Sequence, residues 1–182
     1  MKRFVKLGST LCIAATMAFM ARAGDSLPGQ IDFGKFTAAE AGAEFVEVNL
    51  SSNLISLAAR LVEKEEADVA ELLRGLHLVH VNVLGMDEGN RDAIEKRAQK
   101  VRKQLENGAW ERVVTVQKDG QDLGVYLKTG SKQEVEGLTV VVLDGKKHAV
   151  FVNIVGNIKP EQLSLLGDKL HIDPLKKIGK GF

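Results

Sequence analysis

The fold is decided by residues Trp110–Val155, which read WERVVTVQKDGQDLGVYLKTGSKQEVEGLTVVVLDGKKHAVFVNIV. Apolar residues in this stretch alternate with polar ones or form short continuous runs, as is typical of β-strands. Two pairs, Asp119-Gly120 and Asp144-Gly145, each separate two such runs. Asp-Gly readily adopts the positive φ angles of a two-residue type I′ turn, so the stretch predicts two β-hairpins. With a turn at Gly130-Ser131 between the hairpins, the four strands form an antiparallel meander.

Helical and strand-like patterns alternate upstream of the hairpins. Phe45–Leu50 predicts a first strand, and Leu76–Leu84 predicts a central strand because it is largely apolar on both sides. Further helices are predicted up to Arg74, over Arg91–Asn107 and after Pro160. Between the first two strands, a helix is predicted whose buried stripe comprises Leu54, Leu57, Ala58, Leu61 and Val62.

The predicted element order is β-α-α-β-α-β-β-β-β-α. This order favours an α+β fold, with a mainly antiparallel sheet and helices packed on one face. We expect a single domain over residues 37–170. The glycine-rich residues 24–36 are predicted to form a flexible lead, and residues 171–182 a loose C-terminal tail.

The N-terminus has the three parts of a secretory signal peptide. Basic residues at the start precede the apolar run Leu7–Met20, which is followed by Ala21-Arg22-Ala23. We therefore expect a signal peptide over residues 1–23, cleaved between Ala23 and Gly24, and an exported protein that is periplasmic or secreted. The apolar run is shorter than the roughly 20 residues of a spanning helix, so it fits a signal peptide and not a membrane span. No transmembrane span is expected in the mature chain.

Cleavage would change both the charge and the cysteine content. The whole chain has 25 Lys and Arg and 24 Asp and Glu; residues 1–23 hold four basic residues and no acidic ones, so the mature chain has a formal net charge of −3. With no long basic run, we expect no nucleic-acid partner. The single cysteine, Cys12, lies in the apolar run. The mature chain is then free of cysteine, which excludes disulfides and Cys-ligated metals.

Motifs that would indicate catalysis are missing from the sequence. His77 and His80 are three residues apart, so on a strand their side chains point to opposite faces and cannot share a metal ion. No serine lies in a G-x-S-x-G motif, and the glycines form no phosphate-binding run. We therefore predict no catalytic residues, no cofactor, no metal and no enzymatic activity. Because carboxylates are plentiful, the alternative is a cofactor-independent hydrolase that uses carboxylates from separate elements.

One polar feature interrupts the apolar strands. Asn82 and Asn153 each lie within such a strand, and His80 shares a face with Asn82. Asparagine is depleted in strands, so these positions need an explanation. One interpretation is a partner-binding face made of His80, Asn82 and Asn153; the other is an ordinary half-exposed sheet face.

Four segments carry a family resemblance: Leu54–Leu61 (LISLAARL), Ala67–Leu73 (ADVAELL), Gly124–Lys128 (GVYLK) and Val150–Asn157 (VFVNIVGN). In their order, they resemble the bacterial exported family catalogued as domain of unknown function 4252, over roughly Phe45 to Leu170. No catalytic residues are assigned to that family, so the resemblance implies none here. Many relatives look like lipoproteins, whereas Cys12 follows a leucine and lies within a continuing apolar run. Relatives also lie beside sigma-factor and anti-sigma genes, which implies a role in envelope signalling.

These observations lead to one main hypothesis and two others. The main hypothesis is an exported, non-enzymatic binding or regulatory module of the bacterial envelope that binds an unidentified protein or small ligand. A structural envelope component and the hydrolase are the others. A deep cleft with two facing carboxylates or a perturbed histidine would favour the hydrolase. A flat polar sheet face, or an apolar surface patch of more than about a few hundred Å², would favour partner binding.

Overall fold

The computed structural model describes residues 26–38, 40–42, 44–131, 134–145 and 147–169. The predicted signal peptide, its cleavage residues Ala23 and Gly24, and the predicted tail 171–182 lie outside the described residues. Ten elements follow in the predicted order: β1 (Phe45–Ser51), α1 (Ser52–Val62), α2 (Ala67–Gly75), β2 (Leu76–Gly85), α3 (Arg91–Asn107), β3 (Glu111–Lys118), β4 (Gln121–Thr129), β5 (Val135–Asp144), β6 (His148–Ile158) and α4 (Gln162–Lys169).

All six strands form one antiparallel sheet in the order β1-β2-β6-β5-β4-β3. The meander of β3 to β6 and the α+β class are confirmed. β2 lies between β1 and β6, so the prediction of a central strand is also confirmed. Its pairing with β6 joins the N-terminal elements to the meander.

The two hairpin turns differ from each other. Asp119 and Gly120 have φ angles of 52° and 84°, as the predicted type I′ turn requires. In the second hairpin, Asp144 still pairs with His148 in the sheet, and the Lys147 N–H bonds to the Asp144 carbonyl at 2.8 Å. This connection therefore comprises residues 145–147, and the predicted two-residue turn at Asp144-Gly145 is wrong.

Helices cover both faces of the sheet, which corrects the expectation that they pack on one. Ile55 of α1, Leu72 of α2 and Leu163 of α4 pack into one core, whereas α3 packs into a second core with Val141 and Phe151. The reason lies in β5: Val140 and Val141 point to opposite faces, and both are almost fully buried. A strand that is apolar on both sides needs a cover on each.

Residues 26–36 form no helix or strand, but they are not a loose lead. Phe33 is 1% exposed and packs in the same core as α3. Gly29 is buried with a φ of +83°, and a Cβ at this position would lie 2.2 Å from the Glu136 carbonyl oxygen. Only glycine fits so close to a neighbouring backbone. The structure thus corrects the prediction of a flexible lead: these residues strap the sheet on the α3 face.

Candidate functional site

The face covered by α1, α2 and α4 carries a continuous apolar row across the whole sheet. Each strand contributes one residue, and the register places each beside the next. We call this set the valine row; from β1 to β3 it consists of Val46, Val83, Val150, Val142, Leu123 and Val116.

None of the six side chains in the valine row is fully buried. Val46 is 43% exposed, and the other five are half-buried. The neighbouring row on the same face behaves differently: Val152, Val140 and Val125 are 6%, 1% and 0% exposed. Among the described residues, the helix layer therefore covers the second row at its centre but leaves the valine row accessible.

Polar residues border the valine row at the end of the sheet. Side chains two residues apart along a strand lie on the same face. At this end of the sheet, the residues two positions from Val46, Val150, Val142 and Val116 are polar: Glu44, His148, Asp144 and Lys118. His148 Nε2 lies 2.8 Å from a Glu44 carboxylate oxygen. An accessible apolar surface with a polar rim is typical of a protein-interaction site.

Helix α1 exposes a second apolar surface. Leu54, Leu57 and Leu61 are 52%, 54% and 74% exposed, while Ile55 and Ala59 are buried. The predicted buried stripe is therefore wrong, because the helix is rotated so that its Ile55 side faces the core. The three leucines lie at i, i+3 and i+7, so they share one outward stripe.

The predicted partner-binding residues do come together, on the opposite face, but two of the three are fully covered. Asn82 and Asn153 are 1% and 0% exposed, and His80 is half-buried. Asn153 holds the strap: its Oδ1 accepts the Ile31 N–H at 3.0 Å, and its Nδ2 donates to the Gly29 carbonyl at 3.0 Å. The structure therefore overturns the expectation of an open face: the strap covers Asn153, and Asn82 is buried beside His80.

His80 has polar neighbours on both sides. Its Nε2 lies 2.8 Å from Asn82 Nδ2 and 3.6 Å from a Glu47 carboxylate oxygen. The Phe33 ring stacks at a tilt with its centroid 5.5 Å from that of the imidazole. His80 thus lies between the strap and the edge strand, and these contacts account for a polar side chain on an apolar strand.

One cavity lies between α2 and α4. Its volume is about 390 Å³, and its lining includes Asp68, Glu71, Lys159 and Glu161. Lys159 Nζ donates to Glu71 Oε1 at 2.7 Å; this hydrogen bond and the positive charge lower the pKa of Glu71, and the same contact raises the pKa of Lys159. A general acid needs a pKa near the working pH, so the shift moves Glu71 away from that role.

A buried tyrosine lies on the α3 face. Tyr126 is 1% exposed, and its hydroxyl makes no hydrogen bond of good geometry, although Arg112 lies close to it. Burial raises the pKa of this hydroxyl, and the positive charges of Arg112 and Arg102 oppose the shift. The Arg112 guanidinium lies over the ring, 5.1 Å from its centroid. These contacts make Tyr126 part of the packing between the sheet and the arginines.

Neither a metal site nor a membrane-spanning helix is found in the part of the chain that the structure describes. No group of three or more His, Cys, Asp or Glu side chains there could hold a metal ion. No helix within the same residues is both long and apolar enough to cross a bilayer.

Comparison with known proteins identifies a family. No curated protein and no solved structure matches the chain. One family does match, described as Domain of unknown function (DUF4252), over residues 40–166. This match includes every strand and all six residues of the valine row, and it begins after the strap. The chain therefore belongs to the DUF4252 family.

Proposed function

We propose that this protein is an exported, non-enzymatic module of the bacterial envelope that binds a protein partner on the valine row. The accessible row itself carries the proposal, because buried sheet faces are normally covered and large accessible apolar surfaces mark interaction sites. The N-terminal pattern of basic residues, apolar run and Ala21-Arg22-Ala23 supports export.

The row supports a weak and reversible contact. Complete burial of a valine or leucine contributes about 1.5–3 kcal/mol. All six residues are already more than half covered, so covering what is still exposed contributes at most about 3–7 kcal/mol. Micromolar binding needs about 8 kcal/mol, in addition to the cost of association. A partner must therefore use contacts beyond the row, and the exposed leucines of α1 offer apolar surface of the same kind. A contact of this strength suits a regulatory module better than a permanent complex.

Matched lysine substitutions at the two edge strands test the proposal. Val46 and Val116 are the two ends of the valine row, and V46K/V116K places a charge at each end. The control N49K/T115K adds the same charge to the same strands, at exposed positions on the opposite face. The tagged full chain and both variants would be purified from crosslinked envelope extract, and recovered proteins would be quantified by mass spectrometry.

We expect one enriched protein with the unmodified chain and with N49K/T115K, and at least tenfold less of it with V46K/V116K. Equal recovery by all three chains would refute the valine row as the binding site. Recovery of no specific protein by the unmodified chain would refute the binding module itself.

A further inference from the structure

The basic residues of α3 divide into two groups with different surroundings. Its three arginines point to the body of the protein. Arg91 donates to the Gly145 carbonyl, Arg97 donates to the Phe33 and Lys35 carbonyls at 3.1 Å each, and Arg102 contacts Asp122 at 2.6 Å. The arginines therefore fix the helix against the sheet and the strap.

The lysines of α3 point away from the body. Lys96, Lys100 and Lys103 are all exposed, and none forms an ion pair with any described residue. They lie at i, i+4 and i+7, so they share one stripe about 10 Å long. We call this stripe the lysine ridge. Three unpaired cations in line on a helix that is fixed by its arginines form a concentrated positive surface.

The helices on the two faces of the sheet carry net charges of opposite sign. Helix α3 carries six basic and three acidic residues. On the other face, residues 52–75, which comprise α1, α2 and their connection, carry five acidic and three basic residues. An anionic surface would therefore attract the α3 face and repel the other, even though the mature chain as a whole is mildly acidic.

The strap brings the N-terminal part of the chain to this same face. Its first described residue is Ser26; Gly29 and Ile31 then bond to Asn153, and Phe33 packs beneath α3. The described part of the chain therefore begins on the face that carries the ridge.

We propose that the lysine ridge rests on the anionic headgroups of a lipid surface. A lysine near such a surface contributes about fivefold to binding, so the three together contribute about a hundredfold. Exposed charges are screened by salt, so this contribution disappears at high ionic strength. Bound in this way, the protein holds α3 against the lipid and keeps the valine row on the opposite face, turned to the aqueous side.

Vesicle sedimentation tests the proposal with the full chain. Vesicles of phosphatidylcholine alone are compared with vesicles in which about a third of the lipid is phosphatidylglycerol. The readout is the ratio of the two affinities. It is compared between variants, because residues upstream of Ser26 are the same in all of them and their contribution then cancels. The test variant is K96Q/K100Q/K103Q, and the control K64Q/K118Q/K147Q removes the same charge from exposed lysines elsewhere.

We expect the unmodified chain and the control to bind the anionic vesicles about a hundredfold more tightly than the neutral ones at low salt. The ridge variant should lose most of that ratio. An unmodified chain without preference for anionic vesicles would overturn the proposal. An equal loss in both variants would also overturn it, because net charge and not the ridge would then set the affinity.

Discussion

Replacing Asn153 with leucine removes the side chain that holds the strap while preserving its approximate shape. Four contacts are lost: with the Ile31 N–H and the Gly29 carbonyl at 3.0 Å each, with Thr139 Oγ1 at 3.1 Å, and with the Leu138 carbonyl at 3.4 Å. A typical hydrogen bond contributes about 1 kcal/mol net, and a buried polar group left without a partner costs about 1–3 kcal/mol. We therefore expect Asn153→Leu to lower the free energy of unfolding by about 2–4 kcal/mol.

The assay combines urea unfolding with amide hydrogen exchange. The Ile31 amide should lose most of its protection in Asn153→Leu, because its acceptor is gone and the strap detaches before the sheet unfolds. The control is Asn49→Leu, an exposed position on β1, which should change stability by less than about 0.5 kcal/mol. If Asn153→Leu unfolds at the same urea concentration as the unmodified chain and Ile31 stays protected, the strap is not held by Asn153.

Three further predictions use neighbouring parts of the structure. Leu138→Ala should cost about 3 kcal/mol in urea unfolding because Leu138 is 0% exposed, whereas Leu123→Ala in the valine row should cost less than half as much. Tyr126→Phe should leave stability near neutral pH unchanged or higher, since the buried hydroxyl makes no hydrogen bond of good geometry. The raised pKa of Tyr126 contributes stability that is present below the pKa of the unfolded chain and is lost as the pH rises through the folded-state pKa. Urea unfolding at a series of alkaline pH values should show this loss in the unmodified chain and not in Tyr126→Phe. Lys159→Met should return the pKa of Glu71 upward to its ordinary range, as measured by NMR titration.

The hairpins show which parts of the fold were predictable from local sequence. Asp119-Gly120 adopts the predicted turn because both of its φ angles are positive, a property of these two residues themselves. Asp144-Gly145 is the same dipeptide, but it does not form the same turn. Asp144 remains paired in the sheet, and the Gly145 N–H donates to the Gly120 carbonyl at 3.0 Å. That hydrogen bond joins two turns that are distant in sequence, so it cannot be predicted from the residues around either turn.

The placement of the helices depended on tertiary packing in the same way. The spacing of Leu54, Leu57 and Leu61 is as helical as that of Ile55 and Ala59, and only the sheet decides which side is buried. The strap was missed because its glycines read as a flexible segment. In fact Gly29 is required by its close approach to Glu136, and only the partner strand reveals this.

For the candidate site, the sequence predicts which residues share a face but not which of them are accessible. Strand alternation assigns Val142 and Val140 to the same face, but it cannot say that α1, α2 and α4 cover Val140 and leave Val142 accessible. The reverse holds for Asn153: its polar side chain predicted an open face, but the side chain is buried. A polar group on an apolar strand must either face water or find partners within the protein, and Asn153 finds them in the strap.

The face of the sheet with the conspicuous polar residues is therefore the closed one, and the face with the apolar valine row is the one available for binding. On the α3 face, specific hydrogen bonds hold the Asn153 side chain to the strap, and opening that face would break them. On the other face, the valine row makes no directional bonds, so covering or uncovering it involves only the non-directional gain of apolar burial. A reversible partner is compatible with the second situation and not with the first. This difference in cost is the physical reason to place binding on the valine row, although Asn82 and Asn153 are the more conspicuous residues.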